Sequence, residues 1–345
     1  MVVAIAKADA AVLAAAYRRL DTLTKPLGAL GRLEALAAQI CAAQRTLTPS
    51  VSRPVAVVFA ADHGVADRGV SAYPRAVTAE MVRNFLGGGA AINVLARLQG
   101  MELWIVDAGI DADCEAHPRL IQAKVRRGTR DFTVEAALSE IECRAALDQG
   151  RRIVERIVPP DGNTLVLGEM GIGNTAAAAL LMHGLTGLPL AECVGRGTGL
   201  DDAGLERKRG ILRAARERRA PPADPIELLA EFGGCEIAML VGAVLGAAAR
   251  RHLVIVDGFT VTVAAALAGR VAPAVLDYCV FGHCSQEQAH RTLLAHLGVK
   301  PLLDLDMRLG EGSGAALALS VVRAAVALFN EMATFEGAGV SEKIE

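Results

Sequence analysis

The sequence predicts an α/β protein built on a doubly wound parallel sheet, and three observations support this fold class. Hydrophobic residues make up 52% of the 345-residue chain, which also has 35 glycines and a single tryptophan. That composition suits Ala-rich helices and glycine-bearing turns better than an aromatic-rich β-sandwich. Short apolar runs alternate with helical stretches along the chain, and the runs end beside a glycine or an acid. Apolar surface is sufficient for folding without disulfides or metals.

The N-terminal segment predicts a helical hairpin, and the region after it predicts the sheet. Apolar residues recur at helical spacing through 11–20 and 30–40, separated by the breaker LTKPLG at 23–28. The predicted strands follow at 54–62, 102–109, 163–169, 252–259 and 273–282. Their continuous apolarity indicates strands covered on both faces, joined by crossover helices. Ligand-binding groups are therefore expected along the carboxyl edge of the sheet.

Four further segments are assigned between the strands. The charged stretch 205–219 predicts a helix, and PPADP at 221–225 predicts a surface loop after it. The apolar stretch 237–249 is shorter than the ~20 residues needed to cross a bilayer, so it is interpreted as a buried helix. The stretch 174–191 is interrupted by glycines and a proline and is interpreted in the same way.

The C-terminal segment returns to a helical pattern, at 315–329 and 331–335. We expect the two helical ends of the chain to pack together. The predicted division is a large α/β domain over 50–312 and a small helical domain formed by 1–49 together with 313–345.

Charge and cysteine content favour a small-molecule function. Thirty-six basic and thirty-eight acidic residues give a formal net charge of -2, so nothing recruits nucleic acid or an anionic membrane at long range. The seven cysteines are scattered, without the spacing of a zinc or redox pair. The N-terminus lacks the basic-then-apolar order of a secretory signal. These features predict a reduced, cytoplasmic protein without a membrane span.

The segment VLGEMGIGNT at 166–175 carries the strongest local signal. A strand there runs into two glycines and then a helix, and helix N-termini bind phosphate through free backbone N–H groups and the helix dipole. The spacing matches neither a Walker loop nor a dinucleotide fingerprint, so a plain tight turn remains the alternative. Asn174 is the predicted N-cap in either case.

The segment GRGTGLDDAGLERK at 195–208 combines glycines, two acids and a basic end. Asp201 and Asp202 are suited to capping the next helix. Lys208 is either a phosphate partner or a solvated helix lysine, and its charged neighbours favour the second interpretation.

Glu311 lies between Gly310 and Gly312, where an apolar run ends and a helix begins. Flanking glycines allow close approach of the backbone to a ligand, which suits a functional carboxylate. The alternative is an acid favoured near a helix N-terminus.

Three histidines lie near predicted strand ends: His63, His283 and His290. A metal site is the obvious hypothesis, but His283 and His290 are seven residues apart and no carboxylate cluster completes a ligand set. The sequence therefore predicts hydrogen-bonded structural histidines and no metal.

Taken together and in order from Arg19 to Glu342, these segments resemble the nicotinate-nucleotide:dimethylbenzimidazole phosphoribosyltransferase family of cobalamin biosynthesis. The matching blocks are RLDTLTKPLGALGRLE (19–34), the segment 61–97 that begins ADHGV, VLGEMGIGNT, GRGTGLDDAGLERK, FGGCEIAMLVGA (232–243), VDGF, LDMRLGEGSGA and EMATFEGAGVSE (331–342). The chain departs from the family pattern at Ala29, Ala176, Ser313 and the QEQAH segment at 286–290. These departures bear on fine substrate preference and remove no proposed catalytic group.

The resemblance implies a Rossmann-like large domain, a small helical domain made from both chain ends, and a homodimer whose partner helps to complete each active site. It also implies transfer of the phosphoribosyl group of nicotinate mononucleotide to 5,6-dimethylbenzimidazole, giving α-ribazole 5'-phosphate and nicotinate. Glu311 would be the general base, with Glu169 in the same pocket. The 5'-phosphate would be held by the turn and the lysine, namely Gly171, Ile172, Gly173, Asn174, Thr175 and Lys208.

The acceptor base needs apolar walls and a few directed polar groups. Ser71, Tyr73, Met170 and Leu309 are the candidates. No cofactor or metal is expected, because the pyridinium leaving group departs as a neutral ring, without the diphosphate that Mg²⁺ usually bridges.

Two alternatives stay open at the level of sequence. The same fold and donor would serve another acceptor, such as adenine, a different benzimidazole or a phenol. A non-catalytic nucleotide-binding sensor is the other alternative, and it is disfavoured because Glu311 and Glu169 are both present.

Overall fold

The computed structural model describes residues 4–341 and contains a six-stranded sheet with the strand order β3-β2-β1-β4-β5-β6. All of its strand pairings within that range are parallel. This order is that of the doubly wound Rossmann arrangement, in which the two halves of the sheet diverge from the β1–β4 pair. The predicted fold class is confirmed.

The strands agree with four of the five predicted runs and add shorter ones. They are β1 Val55–Ala61, β2 Glu102–Gly109, β3 Leu120–Gln122, β4 Thr164–Met170, β5 Leu253–Val256 and β6 Cys279–Phe281, with a separate parallel pair of β7 His283–Cys284 and β8 Leu303–Asp304. Every residue of β1 is buried, as expected for a central strand covered on both faces.

Fourteen α-helices occur within the described residues. They are α1 Ala10–Thr22, α2 Arg32–Gln44, α3 Val77–Gly87, α4 Ala91–Leu98, α5 Glu140–Ile157, α6 Asn174–Thr186, α7 Leu190–Cys193, α8 Asp202–Arg218, α9 Pro225–Phe232, α10 Cys235–Ala249, α11 Phe259–Val271, α12 Gln288–His296, α13 Ser313–Glu331 and α14 Phe335–Ala338. The predicted helical hairpin is present as α1 and α2.

Alternate residues of the strands belong to two hydrophobic cores on opposite faces of the sheet, because successive side chains in a strand point to opposite faces. In β1, Val57 and Phe59 pack with the core that contains α5, α6, α10 and α11. Ala56 and Val58 pack with the core that contains α2, α4 and α13. The sheet is thus covered on both faces, and its carboxyl edge is left for ligands.

Two sequence predictions of secondary structure are wrong. The run 273–282, predicted as one strand, is a 3₁₀ helix over Pro273–Tyr278 followed by β6. Pro273 favours this because its fixed φ suits the first turn of a helix and it has no N–H to donate to a strand ladder. The helix predicted at 331–335 is shifted toward the C-terminus: α13 continues to Glu331, Thr334 is bridged to Leu23, and the short helix α14 begins only at Phe335.

The two ends of the chain are joined by direct contacts. The backbone N–H of Thr24 donates to the carbonyl of Ala333 at 3.0 Å, and the guanidinium of Arg19 lies 5.3 Å from the centre of the Phe329 ring. The same helix α13 also shares the second core with the sheet. The division into domains at 49/50 and 312/313 stays a prediction.

Within the described residues, α13 is the one helix long and apolar enough to cross a membrane by length and composition. Of its most apolar window, 56% is buried inside the protein. The core helix of a globular protein meets the same criteria, so this is weak evidence for a span.

Candidate active site

An open cleft lies at the carboxyl edge of the sheet, beside the point where the strand order reverses. It spans about 650 Å³ when the space open to solvent is counted. The lining residues come from the ends of β4 and β5 and from nearby loops: Glu169, Met170, Gly171, Ile172, Asn174, Thr175, Gly197, Thr198, Gly258, Phe259, Thr260, His283, Ser285, Glu287, Arg308, Leu309 and Gly310. This is the edge at which the sequence places the site.

The turn from β4 into α6 forms one end of the cleft. Gly173, not Asn174, is the N-cap of α6, and its φ of +96° is a left-handed conformation that favours glycine. The Asn174 amide donates instead to the carboxylate of Glu169. The predicted cap at Asn174 is therefore wrong, because a nearby carboxylate binds the side chain that would have capped the helix.

Some of the backbone N–H groups of this turn are already bonded within the protein. The N–H of Ile172 donates to the Thr78 hydroxyl at 3.1 Å, and that of Asn174 donates to the Gly171 carbonyl at 3.1 Å. The N–H groups of Gly173 and Thr175 have no acceptor among the described residues. The positive end of α6 is thus left with free donors for an anion.

Lys208 is fully buried behind Thr175, so its interpretation as a solvated helix lysine is wrong. Its ammonium donates to the Thr175 hydroxyl at 2.9 Å and to the Gly195 carbonyl at 3.1 Å. Burial lowers the pKa of Lys208 to about 8, while the charge of Glu287 acts in the opposite direction. Lys208 does not itself line the cleft, but it supplies a positive charge directly beneath the turn.

The glycine-rich segment before α8 is held in place by Glu287, which the sequence did not single out. Glu287 is buried, and its carboxylate accepts from the N–H of Gly197 at 2.9 Å. A side chain at Gly195 would collide with this carboxylate, because a Cβ there would be 1.6 Å from Glu287 Oε1. Asp201 caps α8 through the N–H of Gly204 at 2.7 Å, as predicted.

The backbone at Glu311 has a left-handed conformation. Its φ is +63°, and the glycines on either side, Gly310 and Gly312, have φ of +81° and +86°. A left-handed conformation costs a non-glycine residue roughly 1–2 kcal/mol. Asp257 holds the segment in this shape, since its carboxylate accepts from the N–H groups of Gly312 at 3.1 Å and Ala315 at 2.9 Å.

The carboxylate of Glu311 is buried, and Oε2 has no hydrogen-bond partner. Burial raises the pKa of Glu311, the N–H of Ile92 at the start of α4 lowers it, and the charge of Asp257 raises it further. Leu309 and Gly310 line the cleft, whereas Glu311 lies beside it, toward α4. A carboxyl group with an unused oxygen and a raised pKa is suited to accepting a proton.

Glu169 lines the cleft next to the Glu311 segment. A Cβ at Gly310 would be 2.8 Å from Glu169 Oε1, so the Glu311 segment lies directly against this carboxyl group. Burial, and then the charges of Asp257 and Glu236, raises the pKa of Glu169 to about 8, against the opposing hydrogen bond from Asn174. The structure therefore places two carboxyl groups close together, and the raised pKa of Glu169 favours its protonated form.

Of the four base-binding candidates, the structure brings two into the cleft. Met170 and Leu309 line it, and Leu309 is 54% exposed. Ser71 reaches only the rim, where its hydroxyl is 3.2 Å from that of Thr198. Tyr73 is 52% exposed and does not line the cleft.

The three histidines have different surroundings. His63 pairs with Glu236 at 2.5 Å, and His290 accepts from the N–H of Ser285 at 2.9 Å, so the prediction of hydrogen-bonded structural histidines is right for both. It is wrong for His283, which is buried in the cleft wall with neither ring nitrogen hydrogen-bonded. Among residues 4–341, no group of three or more His, Cys, Asp or Glu side chains is arranged to hold a metal ion.

The fold and the cleft are those of an α/β enzyme, with an open cleft at the carboxyl edge of the sheet that is lined by a helix N-terminus and by carboxyl groups. A family model described as phosphoribosyltransferase matches residues 5–340. The chain belongs to this phosphoribosyltransferase family, the one that its motifs resemble.

Individual relatives agree with the family match. A protein of Cupriavidus necator is 56% identical over 322 residues, 93% of each chain, and one of Dechloromonas aromatica is 54% identical over 97% of each. Both are named nicotinate-nucleotide–dimethylbenzimidazole phosphoribosyltransferase. A solved structure of the same description from Thermus thermophilus is 44% identical, with a TM-score of 0.92 over 97% of this chain and 100% of that one.

Proposed function

We propose that this enzyme transfers the phosphoribosyl group of nicotinate mononucleotide to 5,6-dimethylbenzimidazole, giving α-ribazole 5'-phosphate and nicotinate for the nucleotide loop of cobalamin. The observation that carries the proposal is the near-full-length similarity, at 54–56% identity, to proteins named for this reaction. The same relatives favour dimethylbenzimidazole over adenine or a phenol as acceptor. A purely sensory protein is disfavoured by the two carboxyl groups at the cleft.

The α6 turn and Lys208 anchor the 5'-phosphate in this proposal. The ammonium of Lys208 donates to the Thr175 oxygen, so the hydroxyl hydrogen of Thr175 is free to donate into the cleft. The free N–H group of Thr175, which lines the cleft, adds a donor at the positive end of the helix, whereas Gly173 does not line the cleft. The lysine charge acts through Thr175 and at short range, without entering the cleft.

The reaction then proceeds by displacement at C1' of the ribose. The bond from C1' to the pyridinium nitrogen breaks, its electron pair returns to the ring, and nicotinate leaves. A benzimidazole nitrogen forms the new bond from the opposite face, which converts the β nucleotide into an α riboside. The ring becomes cationic, and the proton on its other nitrogen passes to Glu311. Anchoring the phosphate fixes C1' against the base.

The carboxyl groups have different roles in this scheme. Glu311 is the proton acceptor, since one of its oxygens has no partner in the protein. Glu169 is protonated at neutral pH and serves as a hydrogen-bond donor next to it. Met170 and Leu309 supply apolar walls for the flat base, and Ser71 and Tyr73 remain rim candidates.

A homodimer and a cytoplasmic location complete the proposal. The exposed apolar side chains of Leu309 and Tyr73 near the open cleft support a partner subunit that covers the base pocket. All seven cysteines are free thiols, and burial raises the pKa of Cys41 and Cys143 to about 12. Such inert thiols suit a reducing compartment.

The proposal is tested by incubating the purified protein with nicotinate mononucleotide and a panel of bases, and separating the products by chromatography. We expect equal amounts of nicotinate and α-ribazole 5'-phosphate with dimethylbenzimidazole. A higher kcat/KM with adenine or a phenol would change the acceptor assignment. Nucleotide binding without nicotinate release with any base would instead identify a sensor.

A further inference from the structure

A second helix N-terminus, the start of α11, also lines the cleft. Given the proposed function, we infer that the start of α11, with His283 and Ser285, is an anion subsite that binds the carboxylate of the nicotinate leaving group. The subsite would select nicotinate mononucleotide over nicotinamide mononucleotide, whose ring carries a neutral amide. It assigns a specificity role to residues outside the family motifs for phosphate and base.

The first observation is the uncapped start of α11. Gly258 is the N-cap, with no side chain satisfying the helix end. The first backbone bond of the helix runs from the N–H of Thr262 to the carbonyl of Gly258 at 2.9 Å, so the N–H groups of Phe259, Thr260 and Val261 have no acceptor among the described residues. Gly258, Phe259 and Thr260 line the cleft. Three free donors and the positive helix end therefore meet at the cleft wall.

The second, independent observation is His283. This side chain is 2% exposed, lines the same cleft, and has no hydrogen-bond partner at either ring nitrogen. A Cβ at Gly258 would be 3.5 Å from His283 Nε2, which places the ring beside the helix start. Buried polar groups are almost always paired, so a ligand atom at this position accounts for the unpaired imidazole.

Asp257 does not provide that partner. Its Oδ1 is 3.4 Å from His283 Nε2, a contact without hydrogen-bond geometry. Both carboxylate oxygens already accept from the backbone at the start of α13, from Gly312 and Ala315. Asp257 thus shapes the Glu311 segment and leaves His283 unpaired.

Ser285 adds a directed hydroxyl to the subsite. The ring of His290 fixes its backbone by accepting from the Ser285 N–H at 2.9 Å, and the other ring nitrogen of His290 is bonded to Thr262. The Ser285 oxygen accepts from the N–H of Glu287 at 3.1 Å, so its hydroxyl hydrogen is free to donate. The Ser285 hydroxyl and the free N–H groups of α11 are donors, which is the requirement for a carboxylate, although the unpartnered Oε1 of Glu287 lies in the same cleft.

The identity of the anion follows from the donor substrate. Nicotinate mononucleotide carries two anionic groups, the 5'-phosphate and the ring carboxylate. The phosphate is assigned to the start of α6, where Lys208 supplies a buried charge. The start of α11 follows β5, the strand next to β4, so the second anion site faces the same cleft one strand away. The ring carboxylate is the group left for it.

The test compares two donors in two variants, His283→Ala and Ser285→Ala, with His283→Gln as the conservative variant. We expect His283→Ala to lower kcat/KM for nicotinate mononucleotide by about tenfold or more, and for nicotinamide mononucleotide by less than about twofold. Inhibition by nicotinate should weaken, while inhibition by ribose 5-phosphate should stay unchanged. Ser285→Ala should show the same pattern with a smaller loss, and His283→Gln should restore part of the selectivity.

A matched control is His183→Ala, because His183 lies outside the cleft and bonds only the Leu188 carbonyl at 2.7 Å. This substitution should leave kcat/KM unchanged for both donors. Equal losses with both donors, or weaker inhibition by ribose 5-phosphate, would overturn the carboxylate assignment. Calorimetric binding of nicotinate alone to the wild type and to His283→Ala separates the two proposals: this difference is expected even if the protein catalyses no transfer, and its absence refutes the subsite.

Discussion

The ammonium of Lys208 lies 2.9 Å from the hydroxyl oxygen of Thr175, a residue that lines the cleft. This contact converts a charge on α8 into a polarised hydroxyl at the start of α6. In the proposed phosphate site, Thr175 faces the cleft and Lys208 lies behind it, where its charge is buried away from water. Such burial strengthens the electrostatic contribution of the lysine.

Replacing Lys208 with alanine should raise the KM for nicotinate mononucleotide by about tenfold or more, and leave the KM for the base nearly unchanged, because a charge-assisted hydrogen bond is lost. Steady-state kinetics with each substrate varied in turn measures both values. Nicotinate riboside, which has no phosphate, is the control donor. An equal further loss with the riboside would show that Lys208 acts on folding or on the base.

Glu311→Gln should lower kcat by ~10²-fold or more while nucleotide binding stays nearly intact, because the amide keeps the shape but accepts no proton. Single-turnover kinetics and equilibrium binding of the nucleotide measure the two effects. If turnover stays within a few-fold of the wild type, Glu311 is not the sole base. The double substitution with Glu169→Gln would then show whether the second carboxyl substitutes for it.

Glu169→Gln should behave differently, because the pKa of Glu169 is raised to about 8 and the side chain is already neutral at pH 7. Activity at pH 7 should fall by only a few-fold. Ionised glutamate is favoured in the unfolded chain above its ordinary pKa, so the wild type loses stability as pH rises from about 4.5 to 8. The variant should therefore gain Tm over the wild type at pH 8 and not at pH 5. A constant difference across this window would contradict the raised pKa.

Activity should persist in excess EDTA, because the pyridinium leaving group carries its own charge neutralisation. The measurement is nicotinate release after prolonged dialysis against the chelator. A loss of activity that one divalent ion restores would show that the transfer uses a metal.

Much of the fold could be predicted because it depends on local pattern. The buried strands read as continuous apolar runs, and the acids and glycines after them mark the carboxyl edge where Glu169 and Asp257 lie. The three-residue strand β3 was missed because it is too short to show a period. The 3₁₀ helix at Pro273–Tyr278 was missed because apolar composition alone does not separate strand from helix.

The site was harder to predict, since its key contacts join distant segments. The burial of Lys208 could have been predicted from helical spacing, because Leu205, Lys208, Leu212 and Ala215 recur on the buried face of α8. The charged residues next to Lys208 in the sequence suggest a solvated face instead. For His283 no local signal exists, because the absence of a partner depends on Asp257 turning toward α13. The role of Glu287 likewise appears only when the 195–199 segment folds against it.

The left-handed backbone at Gly310, Glu311 and Gly312 limits which positions can be substituted to change the acceptor base of the enzyme. A side chain at 310 would reach Glu169 Oε1 at 2.8 Å, and one at 312 would press on the Gly168 backbone at 3.3 Å. Libraries that vary these positions would mostly sample misfolded or misaligned loops. Met170 and Leu309 line the same cleft and have negative φ values, so they tolerate other side chains. New base preferences are best sought by varying these two residues, which leaves the position of the Glu311 carboxyl unchanged.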